Sequence, residues 1–259
     1  MTKIGITGAK GLLGSLLKKK LKKKKINYSI FSGDIKIKKE INHWIETNSK
    51  IEYIFHFAAI SSPLIVKKNK KKAFKVNVLG TKNLIQVLKK KKKKIWFFFP
   101  SSSHVYDYSK KKITENHLLK PSSAYGKTKL SAEKIIMKNK SKNLSFFIGR
   151  IFSMYHQKQK KPFLYPSIKQ KIRLNRKRKI YIKNGLSVRD FLNAQDVVEI
   201  IFKIFKKKLT GVYNIGSGHG ISVKSFIEKQ FNLKNIVTLN KNINTLVSNN
   251  NKLMKKLNE

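Results

Sequence analysis

With 259 residues, 40% of them hydrophobic and 10% aromatic, the chain can enclose a core, which excludes a wholly disordered polymer despite its lysine runs. It has no cysteine, so disulfides, thiolate metal sites, iron–sulfur clusters and cysteine nucleophiles are excluded. Sixty Lys and Arg stand against 12 Asp and Glu, a formal net charge of +48.

Lys3–Thr7 is a short apolar stretch of strand length ending in Gly8, and Leu12–Lys25 follows with helical spacing. Tyr28–Phe31 reads as a second strand before the turn Ser32-Gly33, and Ile41–Thr47 places Ile41, Trp44 and Ile45 on one helical face. Ile51–Ala59 reads as a buried strand, and Ala73–Lys92 as one long helix with Val76, Leu79, Leu84 and Val87 inward. Ile95–Phe99 is continuously apolar, as in a parallel strand covered on both faces. Ser123–Lys138 reads as a helix and Leu144–Ile151 as the next strand. This alternation predicts an α/β fold, a doubly wound parallel sheet of the Rossmann type. Beyond Phe152 the alternation loosens and Pro162 and Pro166 appear. The expected division is a nucleotide-binding domain over 1–152 and a smaller, interleaved substrate lobe over 153–259, with 188–216 returning to the main sheet.

Three local patterns carry chemistry. Thr7-Gly8-Ala9-Lys10-Gly11-Leu12-Leu13-Gly14 sits between the first strand and the first helix. Glycines there permit a tight turn and close approach of backbone to a pyrophosphate, and the helix N-terminus offers N–H groups to that anion. A plain turn and cap would use the same glycines; the strand–turn–helix context favours a nucleotide. Tyr125 and Lys129 are four apart on the predicted helix 123–138, hence on one face. An ammonium beside a phenol would lower its pKa towards neutrality and make Tyr125 usable as a general acid or base, although such a pair is also what a solvated lysine-rich face shows. Ser101-Ser102-Ser103-His104-Val105-Tyr106 directly follows the apolar run 95–99, at the carboxyl end of a strand, where parallel sheets bind ligands.

Together these patterns resemble the extended short-chain dehydrogenase/reductase family, the NAD-dependent epimerases, dehydratases and reductases of nucleotide sugars. The resemblance runs on through His56-Phe57-Ala58-Ala59, Asn77-Val78-Leu79-Gly80-Thr81, Pro121–Lys129, Arg189-Asp190-Phe191, Asp196-Val197-Val198, Gly211–Gly218 and Leu246–Leu253. It implies that Tyr125 exchanges the proton at a sugar hydroxyl or ketone. Lys129 would hold the nicotinamide ribose, and Ser102, three positions before Val105, would bond the reacting oxygen. Gly8, Gly11 and Gly14 would border the pyrophosphate, Ala58 and Ala59 would line the cofactor, and Asn77 would organise the site from its helix. Arg189 would lie near the substrate's diphosphate, with an ion pair to Asp190 as its plain structural alternative. Ser103 would stand among the substrate-binding residues.

The departures are informative. The family's dehydratases follow the catalytic hydroxyl with Asp-Glu; here Ser103-His104 stand there, which disfavours water elimination. His104 occupies the place of a protic side chain in the family's keto-sugar epimerase-reductases and is a candidate acid/base near neutral pH. His156 is a looser second candidate. Pro100 replaces a small polar residue. Asp34 follows Gly14 at the distance expected of an acid on the ribose 2′-OH, yet its Asp-Ile context also resembles an adenine contact, so the cofactor is left as NAD or NADP.

The charge bears on partners. Only Arg150, Arg173, Arg176, Arg178 and Arg189 carry the guanidinium fork that grips phosphate; lysine is spread over 18–20, 22–25, 89–94, 110–112 and 206–208. With abundant Ile and Asn this is the composition of AT-rich coding, and it predicts non-specific attraction to polyanions rather than a built nucleic-acid site. No apolar run approaches the ~20 residues of a membrane helix, and no cleavable leader is visible. A cytoplasmic homodimer with a nucleotide-sugar substrate and no metal is expected. The alternative is a catalytically degenerate dinucleotide-binding protein with a polyanion-binding surface.

Overall fold

Six short segments of mostly apolar sequence lie side by side, all parallel: β1 (Ile4–Thr7), β2 (Tyr28–Phe31), β3 (Tyr53–His56), β4 (Ile95–Ser102), β5 (Leu144–Ile151) and β10 (Gly211–Ile215). The computed structural model describes residues 4–174, 179–234 and 236–259; Lys3 of the predicted first strand, Arg176 and Arg178 lie outside them. The spatial order is β10-β5-β4-β3-β1-β2, so the order of strand addition reverses at β1, with β2 on one side and β3 on the other. Ligands of doubly wound sheets bind beyond the strand ends at such a switch point.

Side chains alternate along β4, and this builds two cores. Trp96 and Phe98 join Phe55, Phe147 and Ile215 under α1 (Leu12–Lys23) and α8 (Ala194–Lys206). Phe97 and Phe99 join Trp44, Leu84, Ala132 and Ile136 under α2 (Lys38–Thr47), α5 (Gly80–Lys89) and α6 (Ala124–Lys138). Burying four such aromatics on one strand contributes several kcal/mol by area alone. A third core, Ile168, Ile180, Ile182, Phe226, Ile227 and Ile236, gathers α7 (Leu164–Leu174), β7 (Ile180–Lys183), α9 (Val223–Phe231) and β12 (Ile236–Leu239) away from the main sheet. Between them run β6 (Ser153–Tyr155), paired with β9 (Phe191–Asn193), and β8 (Val188–Arg189), flanked by β11 (Ile221–Ser222) and β13 (Thr245–Leu246). Helix α10 (Asn251–Asn258) follows β13. Among the described residues no helix is long and apolar enough to cross a membrane.

The predicted long helix 73–92 is in fact three pieces: α4 (Lys70–Phe74), a π-helical turn over Lys75–Leu79, and α5, with the short α3 (Pro63–Lys68) just before. The wide turn inserts an extra residue and rotates the buried stripe by about 100°. Asn77 and Val78 therefore point inward, and Leu79, expected inward, is 38% exposed. Strand β3 ends at His56 rather than Ala59, whereas β4 continues through Pro100 to Ser102. Proline fits there because the β3–β4 register stops at Phe98, so no ladder bond is lost by its missing N–H.

Candidate active site

The turn from β1 to α1 is shaped by backbone contact. Gly8 has φ +67°, and a Cβ on it would lie 2.4 Å from the Ala58 N. A Cβ on Gly14 would lie 2.5 Å from the Gly8 carbonyl oxygen. Gly11 donates its N–H to that same carbonyl at 3.0 Å and caps α1 with no side chain. Half-buried Ala58 and Ala59 follow β3 alongside Gly8. A side-chain-free cradle at an uncapped helix N-terminus fits the pyrophosphate of a dinucleotide.

Ser102, Tyr125 and Lys129 come together at the end of β4. All three are buried, and Ser102 lies near enough to the Tyr125 phenol to act on its pKa. Ser102 Oγ also accepts the His104 N–H at 3.3 Å. Lys129 Nζ donates to the Pro100 carbonyl at 2.7 Å, on the strand edge where β3 has ended. It lies 4.6 Å from the Phe99 ring centroid and 5.9 Å from that of Tyr125. Burial pushes the Tyr125 pKa up to about 12, with the Ser102 hydroxyl pulling the other way. The expected lowering towards neutrality by Lys129 is not present in this state. Burial likewise brings Lys129 down to about 8, opposed by the Glu133 carboxylate.

Ser103 is buried at the start of a 3-10 turn over Ser103–Val105. His104 stands edge-on to Tyr125, centroids 5.7 Å apart, with Ser123 Oγ 3.5 Å from its Nδ1. Burial and the nearby charge of Arg189 bring its pKa down to about 4, so it is neutral at neutral pH and does not titrate there as the sequence suggested. Arg189 does not pair with Asp190. Its guanidinium donates to the Val188 and Asn244 carbonyls and to Asn244 Oδ1, and lies 6.0 Å from the Tyr108 ring centroid. Asp190 instead accepts from Ser217 N and Oγ, Gly218 N, and Ser248 N and Oγ. Neighbouring residues on an extended chain point to opposite faces, which separates the two.

Two candidates stand apart from the cluster. Asp34 follows β2, its carboxylate taken by the Lys36 N–H at 2.9 Å and Lys36 Nζ at 2.9 Å, and these bonds hold its pKa below the usual value. His156 is buried and accepts the Lys158 N–H at 3.0 Å, and burial with the charges of Lys158 and Lys19 lowers its pKa.

Further groups support the cluster, among them Asn77, expected from the sequence to organise the site from its helix. Asn77 accepts the Ile60 N–H at 2.8 Å and donates to the Ile60 carbonyl at 3.0 Å and Thr128 Oγ1 at 3.1 Å, tying the segment after β3 to α6. His56 links Thr7 and Thr81, and burial brings its pKa down to about 3. Glu133 and Arg150 form a buried ion pair at 2.8 Å.

The six-stranded parallel sheet flanked by helices defines a class, the doubly wound α/β fold, and the comparisons narrow it. The profile of the family described as GDP-mannose 4,6 dehydratase matches residues 6–258, and the chain belongs to that family, within the NAD-dependent epimerase/dehydratase branch of the extended short-chain dehydrogenases/reductases. It is 31% identical over 205 residues to the dTDP-D-glucose 4,6-dehydratase of Homo sapiens, covering 77% of this chain and 57% of that protein. It is 29% identical over 205 residues to the UDP-glucose 4-epimerase of Lactobacillus helveticus, covering 70% and 61%. The chain thus spans little more than half the length of these curated relatives. In fold it is similar to RMD from Pseudomonas aeruginosa complexed with NADPH, with TM-score 0.88 and 20% identity over 100% of this chain and 93% of that one. It is also similar to MoeE5 in complex with UDP-glucose and NAD, with TM-score 0.84 and 24% identity over 99% and 92%.

Proposed function

We propose that this protein is an NAD(P)-dependent nucleotide-sugar epimerase or keto-sugar reductase. The observation that carries this reading is the buried cluster of Ser102, Tyr125 and Lys129 at the strand ends beside the glycine cradle. The names of the relatives, nucleotide-sugar dehydratases, epimerases and a GDP-sugar reductase, support it.

Gly8, Gly11 and Gly14 would hold the pyrophosphate, Ala58 and Ala59 would flank it, and Lys129 and Tyr125 would meet the nicotinamide ribose. Bound there, the nicotinamide supplies the electron pair exchanged with a sugar carbon. Tyr125 supplies the proton. As a ketone carbon gains electrons, negative charge grows on its oxygen, and a positioned O–H lowers that cost. With its pKa raised to about 12 the phenol is protonated at neutral pH, the form that donates, which favours the direction of ketone reduction. Ser102 shares the same oxygen, and the Lys129 charge favours the phenolate left behind. Ser103 and neutral His104 offer hydrogen bonds to the sugar, and Arg189 offers a cation to the diphosphate. Ser103-His104 in place of an Asp-Glu pair speaks against water elimination.

The test is a panel of nucleotide-4-keto sugars with NADH and NADPH. Oxidation of the reduced cofactor by at least one sugar is expected; none at all would sink the reading. A second reading, an idle dinucleotide-binding protein with a polyanion-binding surface, is favoured by the charge of +48. It requires cofactor fluorescence to respond to oligonucleotide and not to any nucleotide sugar. Exposed Leu64, Ile65, Phe74 and Met137 on α3, α4 and α6 support a homodimer through these helices.

A further inference from the structure

One buried carboxylate fastens the helix that carries Tyr125 and Lys129 to the strand that carries Ser102. Glu133 lies one turn beyond Lys129 on α6 and is fully buried. Its Oε1 accepts the hydroxyl of Ser101, the residue before Ser102, and Arg150 Nε at 3.1 Å. Its Oε2 accepts Arg150 Nη2 at 2.8 Å and Nε at 3.2 Å. Ser101 on β4 and Arg150 on β5 are register partners, so the carboxylate spans two adjacent strand ends from the helix above them. Arg150 is itself fixed, donating through Nη1 to the Tyr106 hydroxyl at 2.9 Å and the Glu115 carbonyl at 3.0 Å.

We propose that Glu133 is a positioning residue for the reaction: through Ser101 and Arg150 it sets where Ser102 stands relative to Tyr125, and it supplies the negative charge that faces Lys129. This rests on the reading that Ser102, Tyr125 and Lys129 carry out the chemistry. The positional half follows from the bonds just described, because a shift of about 1 Å between helix and strand would separate Ser102 from the phenol. The electrostatic half follows from what surrounds Lys129. From α6 it meets Glu133 and Tyr125, from β3 His56, and from β4 the Phe99 ring and the Pro100 carbonyl; Arg150 of β5 pairs with Glu133. His56 is neutral, so the carboxylate is what offsets the burial of the ammonium. Without it Lys129 gives up its proton at lower pH.

Two variants separate the halves. Ser101→Ala cuts the tie to β4 and leaves the Glu133–Arg150 pair intact. Glu133→Gln keeps an oxygen for Ser101 and removes the charge. NADH and NADPH binding would be followed by fluorescence from about pH 6 to about pH 10, together with kcat and KM on an accepted nucleotide sugar. In Ser101→Ala, kcat should fall roughly ten-fold while sugar KM and cofactor affinity stay within about two-fold. In Glu133→Gln, the loss of cofactor binding at high pH should move down by about one pH unit, a displacement that a merely structural role would not produce. If the orphaned Arg150 prevents that variant from folding, the double variant Glu133→Gln/Arg150→Gln removes both charges and should show a smaller displacement in the same direction, because loss of the Arg150 cation partly offsets it. An unmoved high-pH limb in either folded variant, or Ser101→Ala with kcat within about two-fold of the parent, overturns the proposal. A parent chain that binds neither cofactor overturns the functional reading and this proposal with it; cofactor bound with an unmoved limb overturns this proposal alone.

Discussion

Replacing Tyr125 by Phe keeps the ring in its packed place and removes one proton. Turnover on an accepted sugar should fall by a factor on the order of 100, with cofactor affinity nearly unchanged, as steady-state kinetics and fluorescence titration would report. The glycines allow a sharper contrast. A Cβ on Gly11 meets only the Gly8 carbonyl oxygen at 3.3 Å, so Gly11→Val should fold and lose cofactor binding; a Cβ on Gly8 meets backbone at 2.4 Å, so Gly8→Val should not fold. Thermal melts paired with cofactor titrations distinguish the two. The histidines add a pH dependence. His56, lowered to about 3, and His104, lowered to about 4, are neutral when folded and take up protons near 6.5 when unfolded. Unfolding is therefore favoured as pH falls, and the stability these groups contribute is present above about 6.5 and lost progressively down towards their folded values, by up to ~1.4 kcal/mol per pH unit for each. Denaturation midpoints between pH 7 and 4 should fall, less steeply in His56→Gln; parallel curves would refute the assignment. These residues were legible to different degrees. Gly8, Gly11, Gly14, Ser102, Tyr125 and Lys129 lie in short patterns whose spacing reports their geometry. The state of Tyr125 and His104 was not legible, because it depends on burial supplied by distant elements.

The π-helical turn over Lys75–Leu79 is the element that the periodic pattern could not reveal. A five-residue turn changes the phase of a helix without changing its composition, so the apolar spacing of 73–92 reads as one continuous helix. What the turn accomplishes is local: it brings Asn77 inward, where its amide satisfies both backbone groups of Ile60 and reaches Thr128. Asn77→Ala would leave buried polar groups unpaired, at about 1–3 kcal/mol, and would loosen the segment carrying Ala58 and Ala59. The expected result is a lower denaturation midpoint together with weaker cofactor binding. An unchanged affinity would mean that this segment is held by other contacts. Strand β4 was legible as an apolar run, but its extension through Pro100 was not. That extension depends on where β3 stops, and no local pattern in β4 carries that information. The pair Glu133–Arg150 and the donors around Asp190 were hidden for the same reason, since they join residues from different elements.

At the scale of the molecule, charge opposes association. Two copies of a chain at +48 repel, and that repulsion weakens as salt screens it over distances of about 10 Å at 0.1 M. If the exposed apolar residues of α3, α4 and α6 form a homodimer seam, sedimentation should show the dimer fraction rising with ionic strength, and Phe74→Glu should return the protein to a monomer. A monomer at micromolar concentration and physiological salt would remove the dimer. The layered α/β plan was readable because alternation of strands and helices is a sequence-wide signal. The contacts that close the molecule were not.

Among those contacts, the carboxylate of Asp190 has a consequence for the order in which the protein can be completed. Two of its five donors come from Ser248, and the same stretch supplies the Val247 carbonyl to Ile113 N, Asn249 N to the Ile113 carbonyl, and the Asn249 carbonyl to Asn214. Ile113 belongs to the loop that leads from Tyr106 towards α6, beside the proposed chemistry. During synthesis, Ile113 and Asp190 are made well before the stretch that ties them together, which waits for residues 247–250 to leave the ribosome. A nascent chain stalled before Ser248 carries a charge it must hide with three donors instead of five, and its loop at Ile113 lacks the bonds to Val247 and Asn249.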